Sequence, residues 1–251
     1  MLAADLKQAL DPARFARQSL NFEPDQWQEQ VLRWTGKRLL LNCCRQSGKS
    51  TTAGVLALHR ALFYPESLIL LVSPSLRQSG ELFRKVGDAL EQLKERPSLL
   101  EDNRLSLTLA NKSRIVSLPS KEETVRGFSG ADLIIEDEAA RVSDELYYSI
   151  RPMMAVSGGR IILMSTPFGK RGHFFYEWGE GESWERVQVT AYDCPRISPD
   201  FLEEERRTMP DLFFRAEYLG EFTETLDSVF SYEQVTAAIS PDVEPFNFGG
   251  D

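Results

Sequence analysis

The sequence predicts an α/β fold with a doubly wound, mostly parallel sheet flanked by helices. Short apolar runs alternate along the chain with longer stretches of helical periodicity, and this alternation is typical of α/β proteins. The first three runs are apolar almost throughout, as expected for strands buried on both faces of a parallel sheet. The predicted strands are 38–42, 67–73, 131–136 and 159–165.

The remaining elements complete this pattern. Periodicity between and beyond the strands predicts helices at 24–34, 49–63, 76–94, 143–154, 199–208 and 211–218. Residues 104–109 and 114–118 flank a turn and predict a small hairpin inserted in the sheet, and 185–191 predicts a further strand.

The composition excludes several classes of protein. The chain has 251 residues, with 29 Lys or Arg against 38 Asp or Glu, and its net charge is −9. Its 42% hydrophobic and 27% charged residues are typical of a globular protein and not of a collagen, a low-complexity chain or a coiled-coil rod. No apolar run approaches the roughly 18 residues of a transmembrane helix, and the mixed-charge residues 1–21 do not resemble a signal peptide.

The numbers of cysteines and histidines and the net charge further limit the functions that the chain can have. Three cysteines, two of them adjacent at Cys43 and Cys44, form neither a disulfide framework nor a zinc motif, and they fit a reducing compartment. Only two histidines are present, His59 and His173, so catalysis by histidine is not favoured. The negative net charge argues against a protein that binds nucleic acid through a positively charged surface all round, but it permits a local basic surface.

Residues 43–50, CCRQSGKS, carry the strongest signal in the chain. The phosphate-loop pattern is G-x-x-x-x-G-K-[ST]; its second Gly, its Lys and its Ser are present, whereas Cys43 replaces the first Gly. A predicted strand precedes the motif and a predicted helix follows it, which favours a nucleotide site over a chance match in a turn. The residues expected to contact the nucleotide here are Arg45, Gln46, Ser47, Gly48, Lys49, Ser50 and Thr51.

This loop has a defined chemistry. Backbone N–H groups from Gln46 to Ser50 can hold phosphate oxygens at a helix N-terminus. Lys49 can neutralise the β- and γ-phosphates of ATP, and the Ser50 hydroxyl can bind Mg²⁺. ATP and Mg²⁺ are therefore the expected cofactors.

A second acidic motif follows the third predicted strand, in LIIEDE at 133–138. A buried strand that ends in Asp-Glu is the Walker B arrangement: Asp137 would hold the water shell of Mg²⁺, and Glu138 would orient the attacking water. Glu136 occupies a position that is usually apolar. The alternative is an acidic helix N-terminus, where the helix dipole stabilises carboxylates.

A third motif is Ser165-Thr166-Pro167, at the end of the next apolar strand. Hydroxyl groups at this position can sense the γ-phosphate or transmit its loss. The alternative is an ordinary strand-terminating turn, which Pro167 favours.

Further segments extend the set of motifs beyond those of a generic phosphate-loop protein. They are EPDQWQ at 23–28, SPSLRQS at 73–79, VRGF at 125–128, EDEAARV at 136–142 and STPFGKRG at 165–172. In this order and spacing they resemble the ATPase domain of the large terminase subunit of tailed bacteriophages, the motors that pump DNA into viral capsids. The resemblance covers roughly residues 22–232.

The resemblance implies roles for several residues. Gln28, or Gln26, would read the adenine edge with Trp27 packed nearby, and Arg45 stands where the family often has an arginine within the loop. Glu138 would be the catalytic carboxylate.

The resemblance also implies a coupling motif and an arginine finger. Ser165 and Thr166 would link hydrolysis to movement. The finger is expected to come from a neighbouring subunit, with Arg141 as the first candidate and Arg126 as the second. For either arginine the alternative is a surface ion pair.

The implied partners are double-stranded DNA, a portal protein, a small terminase subunit and further copies of the chain. We expect a monomer that joins a homo-oligomeric ring on assembly, in the host cytoplasm at the viral procapsid and without a membrane. DNA would be held through its phosphates by local basic residues. The candidates, for which solvated loop charges are the alternative, are Lys112, Arg114, Lys121, Lys170 and Arg171.

The resemblance divides the chain into an ATPase domain at 1–232 and a linker at 233–251. Within the ATPase domain, 1–22 would form a helical arm and about 196–232 a helical lid. Family members carry a C-terminal nuclease domain for which this chain has no room, so we expect no cleavage of plasmid DNA by the chain.

Two other functions share parts of this sequence pattern. A helicase or remodelling ATPase would use the same nucleotide machinery but would separate strands. A nucleotide-gated assembly module would bind ATP and hydrolyse little, and the Asp137-Glu138 pair argues against it because a switch does not need a water-orienting carboxylate.

Overall fold

An eight-stranded sheet forms the centre of the molecule. The computed structural model describes residues 2–119, 127–224 and 232–239. The strands are β1 (Arg38–Cys43), β2 (Leu68–Ser73), β3 (Leu99–Asn103), β4 (Ser106–Leu109), β5 (Arg114–Pro119), β6 (Leu133–Asp137), β7 (Arg160–Ser165) and β8 (Glu185–Val189). Their spatial order is β3-β4-β5-β2-β6-β7-β1-β8. Every pair is parallel except β3 with β4 and β4 with β5, which confirms the predicted fold class.

Helices cover both faces of the sheet. They are α1 (Leu2–Leu10), α2 (Pro12–Ser19), α3 (Gln26–Leu32), α4 (Lys49–Phe63), α5 (Leu76–Gln92), α6 (Asp144–Ile150), α7 (Gly172–Glu180), α8 (Pro199–Thr208), α9 (Asp211–Leu219) and α10 (Tyr232–Ala238). Short 3₁₀ turns lie at Ala139–Arg141, Arg151–Met154 and Ala191–Asp193. Among the helices that the structure describes, none has the length and apolar character needed to cross a membrane.

The structure refines two of the predicted elements and adds one strand. The helix expected at 143–154 ends at Ile150 and continues as a 3₁₀ turn that contains Pro152, because proline cannot donate the backbone hydrogen bond of an α-helix. The predicted hairpin is present as β4 and β5, but β5 also joins the main sheet beside β2. The exposed strand β3 was not predicted, because its sequence LLEDN does not alternate.

Two apolar layers pack against the sheet. Alternate residues of β1 enter different layers: Leu39 and Leu41 face the layer with α2, α4 and α5, whereas Leu40 faces the layer with α6 and α7. On β6, Ile135 and Ile134 divide in the same way. This alternation follows from the two-residue period of a strand, and it makes the sheet doubly wound.

The strand order determines where the motifs meet. β6, β7 and β1 are consecutive and parallel, with Asp137 opposite Met164 and Asn42 opposite Ser165. The segments that follow these strands therefore emerge at the same edge of the sheet, where ligands of open α/β folds bind. Of the linker predicted at 233–251, residues 240–251 lie outside the described residues.

Candidate nucleotide site

The loop between β1 and α4 has the backbone shape of a phosphate cradle. Gly48 caps the 15-residue α4 with φ of +94°, and Gln46 has φ of +57°. Left-handed residues turn successive N–H groups toward one point at a helix N-terminus, which makes an anion site. Cys43 is fully buried at the end of β1 and is not among the residues with positive φ, so its position does not require glycine.

Lys49 extends from this cradle to the carboxylate that follows β6. Its Nζ lies 3.1 Å from Glu138 Oε1, and the two side chains are only 11% and 22% exposed. Burial alone would lower the pKa of Lys49, but the charges of Glu138 and Asp137 outweigh burial and hold it above the usual value. Lys49 is therefore a fixed positive charge at the mouth of the loop.

Asp137 and Ser50 form the second pair at the loop. Burial raises the pKa of Asp137 to about 6, against the opposing effects of Lys49 and of a hydrogen bond with Ser50. The carboxylate also accepts a hydrogen bond from the Glu138 backbone at 3.0 Å. A hydroxyl and a carboxylate beside a phosphate cradle are hard oxygen donors of the kind that Mg²⁺ uses together with phosphate and water, so these residues fit the expected ion.

The segment after β6, residues 138–143, is named here the β6–α6 turn. Glu138 adopts the left-handed conformation, with φ of 54° and ψ of 40°, which costs a residue other than glycine about 1–2 kcal/mol. The turn is closed by a 2.8 Å hydrogen bond from the Arg141 backbone to the Glu138 carbonyl. The Arg141 guanidinium lies over the Phe168 ring at 3.8 Å, and its Nε is 3.9 Å from Glu138 Oε2.

The two hydroxyl residues at the end of β7, Ser165 in the strand and Thr166 directly after it, are both buried. Ser165 Oγ accepts a 3.2 Å hydrogen bond from the Ala140 backbone and donates to the Thr166 carbonyl at 2.8 Å. Within the described part of the chain, Thr166 Oγ1 is buried without a hydrogen-bond partner. The structure thus brings Ser165, the first of the two predicted coupling residues, against the turn that carries Glu138.

The N-terminal glutamine motif also lies at the cradle. Gln28 is buried, and its Oε1 accepts a 2.9 Å hydrogen bond from the Asp25 backbone. Its Nε2 lies 2.7 Å from the position that a Cβ on Gly48 would occupy, so the amide packs against the loop. Trp27 is buried beside it, and no partner of its Nε1 lies among the described residues.

Arg196 belongs to the same site and was not predicted from the sequence. It donates through Nη2 to the Ser47 carbonyl and through Nη1 to Asp25 Oδ1, both at 2.8 Å. It therefore joins the phosphate loop to the start of α3. The residue lies in an irregular segment without a motif, 149 positions from Ser47, so no local signal identifies it.

An open pocket of about 620 Å³ adjoins the outer side of the loop. It is lined by Arg45, Gln46, Arg196, Ile197, Ser198, Phe201 and Tyr218. Arg45 is largely exposed there, with its Nε 3.5 Å from Glu217 Oε2. The pocket combines positive charge with two aromatic rings, a lining suited to a nucleotide.

The four basic candidates that the structure describes lie in two separate places. Lys112 and Arg114 lie before and at the start of β5, where Lys112 pairs with Glu66 at 3.5 Å. Lys170 and Arg171 lie instead beside the β6–α6 turn, with Arg171 5.1 Å from the centre of the Phe168 ring and Lys170 3.0 Å from Glu224. Lys121 and the second finger candidate, Arg126, lie outside the described residues.

A phosphate loop on β1, an Asp-Glu pair on β6 and hydroxyl residues on the strand between them define a P-loop nucleotide-binding protein. The family model described as terminase large subunit, T4likevirus-type, N-terminal, matches residues 40–237. The chain belongs to this family of terminase large-subunit N-terminal domains.

Individual relatives agree with this assignment. The terminase large subunit of Thermus virus P23-45 is 29% identical over 250 residues, which cover 84% of this chain and 51% of that protein. The large subunit of Escherichia phage T5 is 26% identical and covers 71% of this chain and 42% of that protein. The chain thus spans about half the length of these curated relatives or less.

Solved structures of large terminases resemble this chain in fold. The large terminase ATPase domain of Thermus phage P74-26 superposes with a TM-score of 0.70 at 25% identity, over 81% of this chain and 96% of that one. The large terminase of a thermophilic bacteriophage, solved with ADP, has a TM-score of 0.64 at 16% identity and shows the shared fold.

Proposed function

We propose that this chain hydrolyses ATP and that the hydrolysis moves double-stranded DNA into a viral procapsid. The observation that carries the proposal is the convergence of Lys49, Asp137 and Glu138 on one phosphate cradle, with Lys49 Nζ 3.1 Å from Glu138 Oε1. The membership of the terminase family supports the DNA-moving part. Relatives solved as ATPase domains, or with ADP or ATP-gamma-S bound, support the nucleotide part.

The residues divide the chemistry among them. The loop N–H groups and Lys49 hold the β- and γ-phosphates, and Ser50 and Asp137 would hold Mg²⁺, which neutralises phosphate charge in this class of reaction. Glu138 orients the attacking water and polarises it. Its left-handed backbone and its contact with Lys49 keep the carboxylate aimed at the cradle.

Charge that develops in the transition state requires an additional cation. Arg141 is the first candidate, since its guanidinium lies on Phe168 at the edge of the site and is 42% exposed; Arg126 is the second. A finger supplied by a neighbouring subunit is worth about 10³–10⁵ in rate. The isolated chain is therefore expected to turn over slowly until it assembles into a ring.

The adenosine end of the nucleotide is assigned to the outer side of the loop. Gln28 would read the adenine edge beside Trp27, and Arg45 and Thr51 would complete the contacts of the loop. The pocket next to Arg45 offers Phe201 and Tyr218 as rings for stacking. This assignment keeps Gln28 as the principal reader because its amide packs against Gly48.

Coupling and DNA binding complete the proposal. Ser165, which accepts a hydrogen bond from Ala140 of the β6–α6 turn, and Thr166 closely precede Lys170 and Arg171 in the chain, so a change at the γ-phosphate can reach these cations over a short path. We place the DNA contact there in preference to Lys112 and Arg114. We also propose that the chain acts with a portal protein and a small terminase subunit in the host cytoplasm. The proposed division of the chain is an ATPase domain at 1–232 with a linker at 233–251.

Lys49→Ala tests the nucleotide part, with Lys37→Ala as a matched control because Lys37 lies at the opposite end of β1. We expect Lys49→Ala to lose ATP binding and hydrolysis, whereas Lys37→Ala keeps both. Wild-type hydrolysis in Lys49→Ala would contradict the assignment of the site.

The alternatives separate in two further assays. A packaging motor moves along duplex DNA without unwinding it, so strand separation by the assembled protein would favour the helicase alternative. Binding of ATP without hydrolysis in a single turnover would favour the assembly module.

A further inference from the structure

Glu136 is a buried charge that the nucleotide chemistry does not use. It occupies the usually apolar position before Asp137, and its side chain is fully buried. Because successive residues of a strand face opposite sides, Glu136 points into the layer of α6 and α7, away from the cradle. A buried carboxylate is costly unless it is paired, and its partner is His173, whose Nε2 lies 2.7 Å from Glu136 Oε1.

His173 is held from several directions at once. Its Nδ1 lies 3.1 Å from Asp144 Oδ1, and its backbone N–H donates to the same oxygen at 2.7 Å. Its ring stacks on Tyr147, with centroids 4.3 Å apart and planes 7° from parallel. Both ring nitrogens thus face carboxylates, and the stack fixes the plane of the ring.

These contacts bracket the β6–α6 turn. Glu136 lies two residues before Glu138, and Asp144 lies immediately after the turn, at the first position of α6. One imidazole therefore connects the two ends of the segment that carries Glu138 and Arg141. Such a clamp opposes relaxation of the left-handed backbone at Glu138, which stores strain.

His173 also belongs to the segment after the coupling residues. It is the second residue of α7, which begins seven positions after Ser165. A displacement of the 166–172 segment would therefore move His173, and with it both ends of the turn.

We infer that His173 is a positioning residue that, with Glu136 and Asp144, clamps the β6–α6 turn and transmits movement of the coupling segment to Glu138. The inference rests on the proposed function only for the consequence in hydrolysis. The clamp itself is a property of the fold and can be measured without ATP.

The test uses His173→Gln and the double variant Glu136→Leu/His173→Leu. The double variant replaces the buried pair with apolar side chains, a change that often preserves stability, so it remains informative if the single variant does not fold. His59→Gln is the matched control, because His59 is also buried and has a ring nitrogen within hydrogen-bond distance of an oxygen, 2.9 Å from the backbone O of Gln8, but lies in α4.

Two measurements follow on these variants. In hydrogen–deuterium exchange without nucleotide, we expect the peptide covering 137–143 to exchange faster in both His173 variants and at the wild-type rate in His59→Gln. In hydrolysis assays, we expect kcat to fall by roughly 10- to 100-fold with the Kd for ATP unchanged, because a small misplacement of a catalytic group has this effect.

The outcomes separate this inference from the proposed function. Unchanged exchange of the 137–143 peptide in the double variant would overturn the clamp, whether or not the wild type hydrolyses ATP. A double variant with wild-type kcat would show that the pair serves packing alone and would also overturn it. A wild-type chain without hydrolysis, but with faster exchange in the variants, would contradict the proposed function and leave the clamp supported.

Discussion

Two neighbouring carboxylates on β6 are both buried, and they differ in what surrounds them. Asp137 faces the phosphate cradle, where its hydrogen bonds come from Ser50 and the Glu138 backbone and burial raises its pKa to about 6. Glu136 faces the other layer, where His173 lies 2.7 Å away and the ring of His173 is stacked on Tyr147. One carboxylate is thus the candidate ligand of Mg²⁺, and the other is paired with a histidine of the protein.

This difference shows how one strand can present a candidate ligand-binding carboxylate on one face and a structural carboxylate on the other. A buried charge that awaits a ligand carries a desolvation cost until the ligand arrives, and such perturbed groups cluster at functional sites. A buried charge with a fixed partner instead specifies the geometry around it.

Substitution of Asp137, on the nucleotide side of β6, is expected to have the largest effect, a loss of ATP hydrolysis. Asp137→Asn removes the carboxylate assigned to Mg²⁺, and we expect hydrolysis to fall by about 100-fold or more. The measurement is the hydrolysis rate over a Mg²⁺ titration. Asp132→Asn, at the opposite end of β6 where Asp132 pairs with Arg60, is the control and should keep the wild-type rate. Equal rates in the two variants would place Mg²⁺ elsewhere.

An intermediate effect is expected on the other side, in the pH dependence of stability. Burial lowers the pKa of His173, but Glu136 and Asp144 outweigh burial and hold the pKa above its usual value. The resulting stabilisation is fully present below the unfolded-state pKa of about 6.5 and is lost as the pH rises through the higher folded-state pKa.

The measurement is the difference in the free energy of unfolding between wild type and His173→Gln, from urea titrations at about pH 6 and pH 9. We expect the larger difference at the lower pH. A difference that grows with pH would mean that His173 is held as the neutral imidazole.

The smallest effect, on the affinity for ATP, is expected from substitution of Arg196, which joins Ser47 to Asp25 at the edge of the cradle. Its side chain is half exposed, so solvent weakens its ion pair and the contribution is about 0.5–1 kcal/mol. Arg196→Ala should raise the Kd for ATP several-fold with kcat unchanged, and the exposed Arg206→Ala on α8 should not. A loss of kcat instead would give Arg196 a role in the chemistry.

The sequence identifies candidate residues on the nucleotide side of β6 because their signals are local. Lys49 and Ser50 are adjacent at the start of α4, Asp137 and Glu138 are adjacent at the end of β6, and the alternation of elements places both pairs at the same edge of the sheet. The parallel pairing of the strands then follows from the rules of α/β folds.

Residues that are held by long-range contacts, on either side of β6, could not be predicted in the same way. His173 contacts a carboxylate 37 positions away, and Arg196 contacts a carbonyl 149 positions away. Neither residue lies in a motif, and their roles come from tertiary contacts alone. Glu136 did give a signal, as a charge in an apolar position, but the sequence does not identify the partner of a buried charge.

Glu138→Gln tests the central claim most directly, because it keeps the shape of the side chain and removes only its charge. In a single-turnover assay with ATP and Mg²⁺, we expect hydrolysis to fall by roughly 10²–10⁴-fold while binding of ATP, measured on the same sample, is retained. Glu145→Gln, an exposed glutamate in the first turn of α6, is the control and should hydrolyse ATP as the wild type does. Hydrolysis at the wild-type rate in Glu138→Gln would contradict the account.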